Sequence, residues 1–275
     1  MSKSFRLGRE RLAYTVYGDG PRNVVLLHGL LLSQKMHRPL ATALAEAGNR
    51  VITLDLLGHG HSSHPESTSR YSIHDFADQV AALLDHLEIP SAVIQGTSLG
   101  ANVCLEVAVN HPARVQGLIV EMPVLDNALL AAAVAFTPLS MLFTLAPRPL
   151  RLLFSPARAV PEGVLPLYLD IGLDFLRHDP TDASHVLNGL LFGRTAPVEE
   201  ERRTITAPAL IIGHRRDPVH PFSDADMLTR ELPDARLVEA SSILELRFWP
   251  ERLTAEMATF IATCWEHRSV RRHTA

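Results

Sequence analysis

The sequence predicts an α/β protein, with a mainly parallel sheet of about eight strands, helices on both faces and a helical cap. Three observations carry this expectation. β-branched apolar runs alternate with amphipathic stretches, as strand-helix-strand units require. The 275 residues are 47% hydrophobic, enough by area scaling to bury roughly 73% of the unfolded surface in one large core. The alternation stops near residue 123 and resumes near 204, so one segment stands outside the pattern.

In chain order, two short runs at 4–8 and 11–17 predict an antiparallel hairpin. Strands are then expected at 23–28, 50–55, 91–96, 115–121, 207–213 and 235–240. Amphipathic helices are expected at 37–47, 73–87, 99–110, 223–232 and 250–265; in the last, Leu253, Met257, Phe260, Ile261 and Cys264 recur every three or four residues. Residues 1–122 and 204–275 form the predicted core, and 123–203, helical and punctuated by proline, the predicted cap. Residues 128–147 carry no charge over the length of a membrane span. They hold Pro138, Pro147 and three hydroxyl side chains, which predicts two short apolar helices broken at Pro138 and no stable span. The tail, 267–275, is expected to fray.

Composition narrows the function. A net charge of −4 without a basic stripe argues against nucleic-acid binding. Cys104 and Cys264 are too few for a disulfide framework, and the opening residues lack the apolar stretch of a secretory signal, so a cytoplasmic location is expected.

The chemistry concentrates at Gly96-Thr97-Ser98-Leu99-Gly100, between a predicted strand and a predicted helix. This G-x-S-x-G spacing, in that setting, is a nucleophile elbow: a turn so tight that small residues must flank the serine, with the hydroxyl raised above the sheet.

With this elbow the chain resembles the α/β-hydrolase family, and nearly the whole sequence follows its order. His28-Gly29 comes after the third strand, Asp55-Leu-Leu-Gly58-His-Gly60-His-Ser62 after the fourth, and Gly213-x-x-x-Asp217 after a late strand. The likeness is greatest to capped bacterial esterase-like and lactonase-like members. The resemblance implies an oxyanion hole built from the backbone N–H groups of Leu30 and Leu99. It implies that His28 orders its loop, and the glycine-rich loop holding His59 and His61 is read as shaping backbone.

One departure stands out. Relatives carry a Gly-His pair seven residues before a Pro-Glu-Arg-like helix start, and counting back from Pro250 reaches Ser242-Ile243. No histidine lies between His220 and His267. A serine without a base is a poor nucleophile near neutral pH. His220, three residues beyond Asp217, is the first candidate for a relocated base, since a triad is defined by geometry and not by chain order. His37 is a lesser candidate as base and a better one as a substrate contact. Asp217 is favoured as the acid over Glu121, which ends the 115–121 strand and is also expected at the substrate site, with Asp126 third. His214, Asp217 and His220 lack a complementary ligand set, so no metal is expected, and no cofactor is called for.

Residues 129–154 hold more apolar side chains than a thin covering layer needs. Packing, a homodimer contact, or a hydrophobic pocket above Ser98 would each use them. The expectation is a serine hydrolase of hydrophobic carboxylic esters or lactones. The alternatives are a non-hydrolytic binder or sensor on the same scaffold, and a C–C hydrolase, lyase or isomerase using the same elbow.

Overall fold

The structure, a computed structural model, describes residues 2–273. Its elements in chain order are β1 (Lys3–Leu7), β2 (Glu10–Tyr17), β3 (Arg22–Leu27), α1 (Arg38–Glu46), β4 (Asn49–Leu54), α2 (Ile73–His86), β5 (Ala92–Thr97), α3 (Leu99–Asn110) and β6 (Val115–Glu121). There follow α4 (Leu129–Leu145), α5 (Pro147–Ala159), α6 (Leu167–Arg177), α7 (Pro180–Phe192) and α8 (Glu199–Arg202). The chain closes with β7 (Ala209–His214), α9 (Phe222–Glu231), β8 (Ala235–Ala240), α10 (Glu245–Phe248) and α11 (Glu251–His273).

The eight strands form one sheet in the order β1-β2-β4-β3-β5-β6-β7-β8. The pairs β1/β2 and β2/β4 are antiparallel and the other five parallel. Burial on both faces explains why the central strands β3, β5, β6 and β7 carry mainly apolar stretches such as Val24–Leu27, Leu118–Val120 and Ala209–Ile212. Leu40, Ala41 and Leu44 of α1 pack on one face with Leu253, Met257 and Ile261 of α11. The other face carries α2, α3 and α9. Because β3 pairs with β4 on one side and β5 on the other, strand order reverses between β3 and β5. The crevice beyond the carboxyl ends of such a pair is where open α/β sheets bind ligands.

One expectation needs correction. Residues 129–145 form one helix running through Pro138, and the break comes at Ala146, where α5 departs at 100°. Pro138 deprives the Val134 carbonyl of its helical partner. Val134 is 68% exposed, so water can take that place. The expectation that the tail, 267–275, frays falls on residues whose side chains are not described, and residues 274 and 275 lie outside the described residues altogether.

Candidate active site

Ser98 occupies the turn between β5 and α3 with φ 55° and ψ −113°, a left-handed conformation rare for a residue with a Cβ. The turn closes because its glycines are bare. A Cβ on Gly96 would overlap the Gly100 carbonyl, and one on Gly100 would overlap the Leu27 carbonyl. The Ser98 N–H donates to the Glu121 carbonyl at 2.9 Å, tying the turn to β6. Leu31 and Met122, just past the ends of β3 and β6, share the positive φ. Three neighbouring strands thus end in strained backbone at the crevice, as functional sites commonly do.

The Ser98 Oγ lies 2.9 Å from His220 Nε2, and His220 Nδ1 lies 2.9 Å from Asp217 Oδ2. Asp217 Oδ1 also accepts the backbone N–H groups of Val219 at 2.8 Å and His220 at 2.9 Å. Burial works to raise the Asp217 pKa, but these hydrogen bonds outweigh it and bring it down to about 2. An ionised Asp217 can only accept, so Nδ1 carries the proton and Nε2 is free to accept the serine proton. The loop after β7 therefore brings together the three residues singled out in the sequence as nucleophile, base and acid.

The other candidates lie elsewhere. Glu121 is fully buried and accepts from the Thr97 hydroxyl at 2.5 Å and from Arg247 at 3.1 Å. Burial opposes its ionisation, yet the Arg247 charge and the facing His214 ring hold its pKa below the ordinary carboxylate range. Asp126 is exposed and pairs with Arg202 at 2.9 Å. The buried His37 donates from Nε2 to the Leu27 carbonyl at 2.9 Å, and burial, aided by Arg247, lowers its pKa to about 3. His28 donates from Nδ1 to the Gly29 carbonyl at 2.8 Å and accepts the Leu56 N–H on Nε2 at 3.0 Å, so it links two loops. His59 is buried with Nδ1 on the Leu57 carbonyl at 3.0 Å, and the His61 N–H donates to Asp55. Both follow their own loop.

A cavity of about 230 Å³ opens beside Ser98. Leu30 and Leu99 line it, together with Leu129, Ala132, Ala133 and Phe136 of α4 and Leu187, Leu190 and Leu191 at α7. Its polar lining is Ser98, Asn102 and Thr195. His37 and Glu121, both expected at the substrate, do not line it. Leu99 begins α3, and the first N–H groups of a helix have no partner within it.

Asn102 went unnoticed in the sequence. Its amide donates to the carbonyls of Val124 and Thr195, each at 2.8 Å, and accepts the Val124 N–H at 3.0 Å. It lies four residues after Ser98, the spacing that puts two side chains on one helix face. Asp224 holds the start of the inserted helices through the N–H groups of Leu125, Asn127 and Ala128 at 2.7–3.1 Å. Among the described residues, no group of three or more His, Cys, Asp or Glu could hold a metal ion. His214 Nδ1 bonds the Ser242 carbonyl at 3.1 Å, apart from the Asp217–His220 pair.

The sequence profile of the alpha/beta hydrolase fold matches residues 22–242. The chain belongs to the α/β-hydrolase family. A haloalkane dehalogenase of Mycolicibacterium paratuberculosis is 34% identical over 110 residues, a match covering 40% of this chain and 36% of that protein. The chain thus spans little more than a third of that curated relative. An AB hydrolase superfamily protein of Bacillus subtilis is 28% identical over 246 residues, covering 84% of this chain and 87% of the relative. Among solved structures, the enol-lactonase of Burkholderia xenovorans superposes with a TM-score of 0.77 at 20% identity, covering 94% of this chain and all of that one. At that identity the likeness is one of fold.

Proposed function

We propose that this α/β-hydrolase cleaves carboxylic esters or lactones with a hydrophobic acyl portion, using Ser98 as nucleophile, His220 as base and Asp217 to orient it. The observation that carries the reading is the unbroken chain from Ser98 Oγ through both His220 nitrogens to Asp217, with each link at 2.9 Å. Ser98 Oγ attacks the carbonyl carbon as its proton passes to His220 Nε2. The backbone N–H groups of Leu30 and Leu99 receive the oxyanion, such donors contributing about 3–4 kcal/mol each in hydrolases where one has been removed. Collapse expels the alcohol oxygen with the proton returned by His220. Water, activated by the same imidazole, releases the acid.

The apolar lining beside Ser98 supports a hydrophobic acyl group, with α4 and α7 forming part of a cap over the site. The alternative of a non-hydrolytic binder rests on a missing base, and the position of His220 beside Ser98 supports hydrolysis over it. Free, buried Cys104 and Cys264 suit a cytoplasmic location.

A fluorophosphonate probe tests the reading. Wild type should be labelled and Ser98→Ala should not, and p-nitrophenyl esters should be turned over by wild type alone. Labelling that survives the substitution would place the reactive serine elsewhere.

A further inference from the structure

We propose that the outer face of α4 and α5 is a docking surface for an anionic lipid membrane. Helix α4 is apolar on two opposite sides. Its inner side carries Ala132, Ala133 and Phe136 into the cavity, with Phe143 buried in the core. A helix covering a core ordinarily turns polar residues outward. Instead, Leu130, Val134, Met141 and Leu145 form the outward stripe, within about 60° of one another around the axis at 3.6 residues per turn. Leu130 and Leu145 are each 76% exposed, and Leu152 on α5 is 77% exposed. A helix hydrophobic all round belongs inside a protein or against lipid. Neither helix is long and apolar enough to cross a membrane alone, and the 100° bend between them favours lying along its surface.

Charge selects the occupant. Residues 128–161 contain Arg148, Arg151 and Arg158 and no Asp or Glu, within a chain of net charge −4. Asp179 pairs with Arg151 at 2.7 Å and Arg158 at 3.3 Å, and Asp182 also acts on Arg151, which leaves the exposed Arg148 as the cation at the edge of the apolar face. An apolar face edged by arginine complements anionic headgroups above an acyl layer. A second copy meeting this face through a two-fold axis would set the same arginines against each other. The outer face does not involve Ser98, so docking stands apart from the catalytic reading.

The purified full chain is cosedimented with vesicles of phosphatidylcholine alone and of phosphatidylcholine mixed with phosphatidylglycerol, at low and physiological salt. Wild type and Ser98→Ala should both partition onto the mixed vesicles, less so as salt rises. The double variant Leu145→Glu/Leu152→Glu should lose at least tenfold in partitioning, since two leucines leave the acyl boundary. Arg148→Glu, an exposed change that leaves the core untouched, should lose at least fivefold. Wild type left in the supernatant, equal binding to both vesicle types, or unaltered binding by both variants overturns the proposal. A wild-type dimer in sedimentation velocity that Leu145→Glu dissociates, with no lipid binding, assigns the face to a second copy and overturns it too.

Discussion

The Asp217 carboxylate holds His220 twice, with Oδ1 on the backbone N–H and Oδ2 on the ring Nδ1, both at 2.9 Å. Three residues of separation are few for an aspartate to orient an imidazole that must also face a serine on another strand. The turn resolves this by letting one carboxylate anchor both the backbone and the ring. The histidine's tautomer and position are fixed inside a four-residue segment.

Asp217→Asn should therefore lower kcat by about 10⁴, as it would leave the ring in the wrong tautomer, while the fold persists. Glu121→Gln should behave differently. It leaves the partly exposed Arg247 facing a neutral amide, and losing a charged hydrogen bond of that kind costs about 1.5–3 kcal/mol of stability. Turnover by the folded fraction should change less than tenfold. Urea denaturation beside initial rates separates the two effects, and the reverse ranking would move the acid to β6.

His220→Ala should cost 10²- to 10⁴-fold in kcat/KM on an activated ester, the range for losing a general base. His37→Ala should spare turnover, because its Nε2–H is committed to the Leu27 carbonyl. Retention of more than about a tenth of the activity by His220→Ala would exclude it as the base.

Acyl length should matter. Each methylene buried beside Ser98 contributes up to about 0.8 kcal/mol, so kcat/KM should rise roughly tenfold from acetate to butyrate if the cavity takes both carbons. Ala133→Phe, projecting from α4 into the cavity, should reverse that preference. A flat profile in wild type would remove the hydrophobic pocket from the account.

Acid should destabilise the fold earlier than carboxylate titration would. Burial lowers the pKa values of His28, His37, His59 and His178, to about 3 for His37 and about 4 for His178. Below pH 6.5 the unfolded chain binds protons that these buried rings refuse, so stability falls as pH drops from 6.5 toward the folded values. Each such histidine contributes a slope of about 1.4 kcal/mol per pH unit within that window. Urea midpoints at pH 7.5, 6 and 5 should fall steeply, and His178→Asn should flatten the slope. A constant midpoint over that range would contradict the assignment.

The sheet was legible in the sequence because its central strands are buried on both faces, which favours apolar, largely β-branched stretches such as those of β3 and β7. The elbow was legible because Gly96 and Gly100 are dictated by backbone contact and leave little freedom of composition. Pro138 misled because propensity assumes a carbonyl that needs a helical partner, whereas Val134 meets solvent. Glu121 looked like a site residue because it ends the 115–121 strand, a place where some members of the family carry their acid. Its ion pair with Arg247 joins residues 126 apart in sequence, which no local pattern reveals. Asn102 and Asp224 were invisible for a like reason, since a polar residue on a helix reads as surface until its distant partners are known.

The clasp made by Asn102 has a consequence for how this scaffold diversifies. One side chain binds Val124 where the inserted helices leave the sheet and Thr195 where they return, so both ends of 70 intervening residues meet at one point. Joining ends already held together is a closure whose entropy grows only slowly with length. A foreign helical cassette of quite different size can be spliced between those ends without disturbing the strands beneath. Chimeras that retain Asn102 and Asp224 while exchanging the helices should keep the reactive centre and inherit a new selectivity, much as a handle accepts different blades.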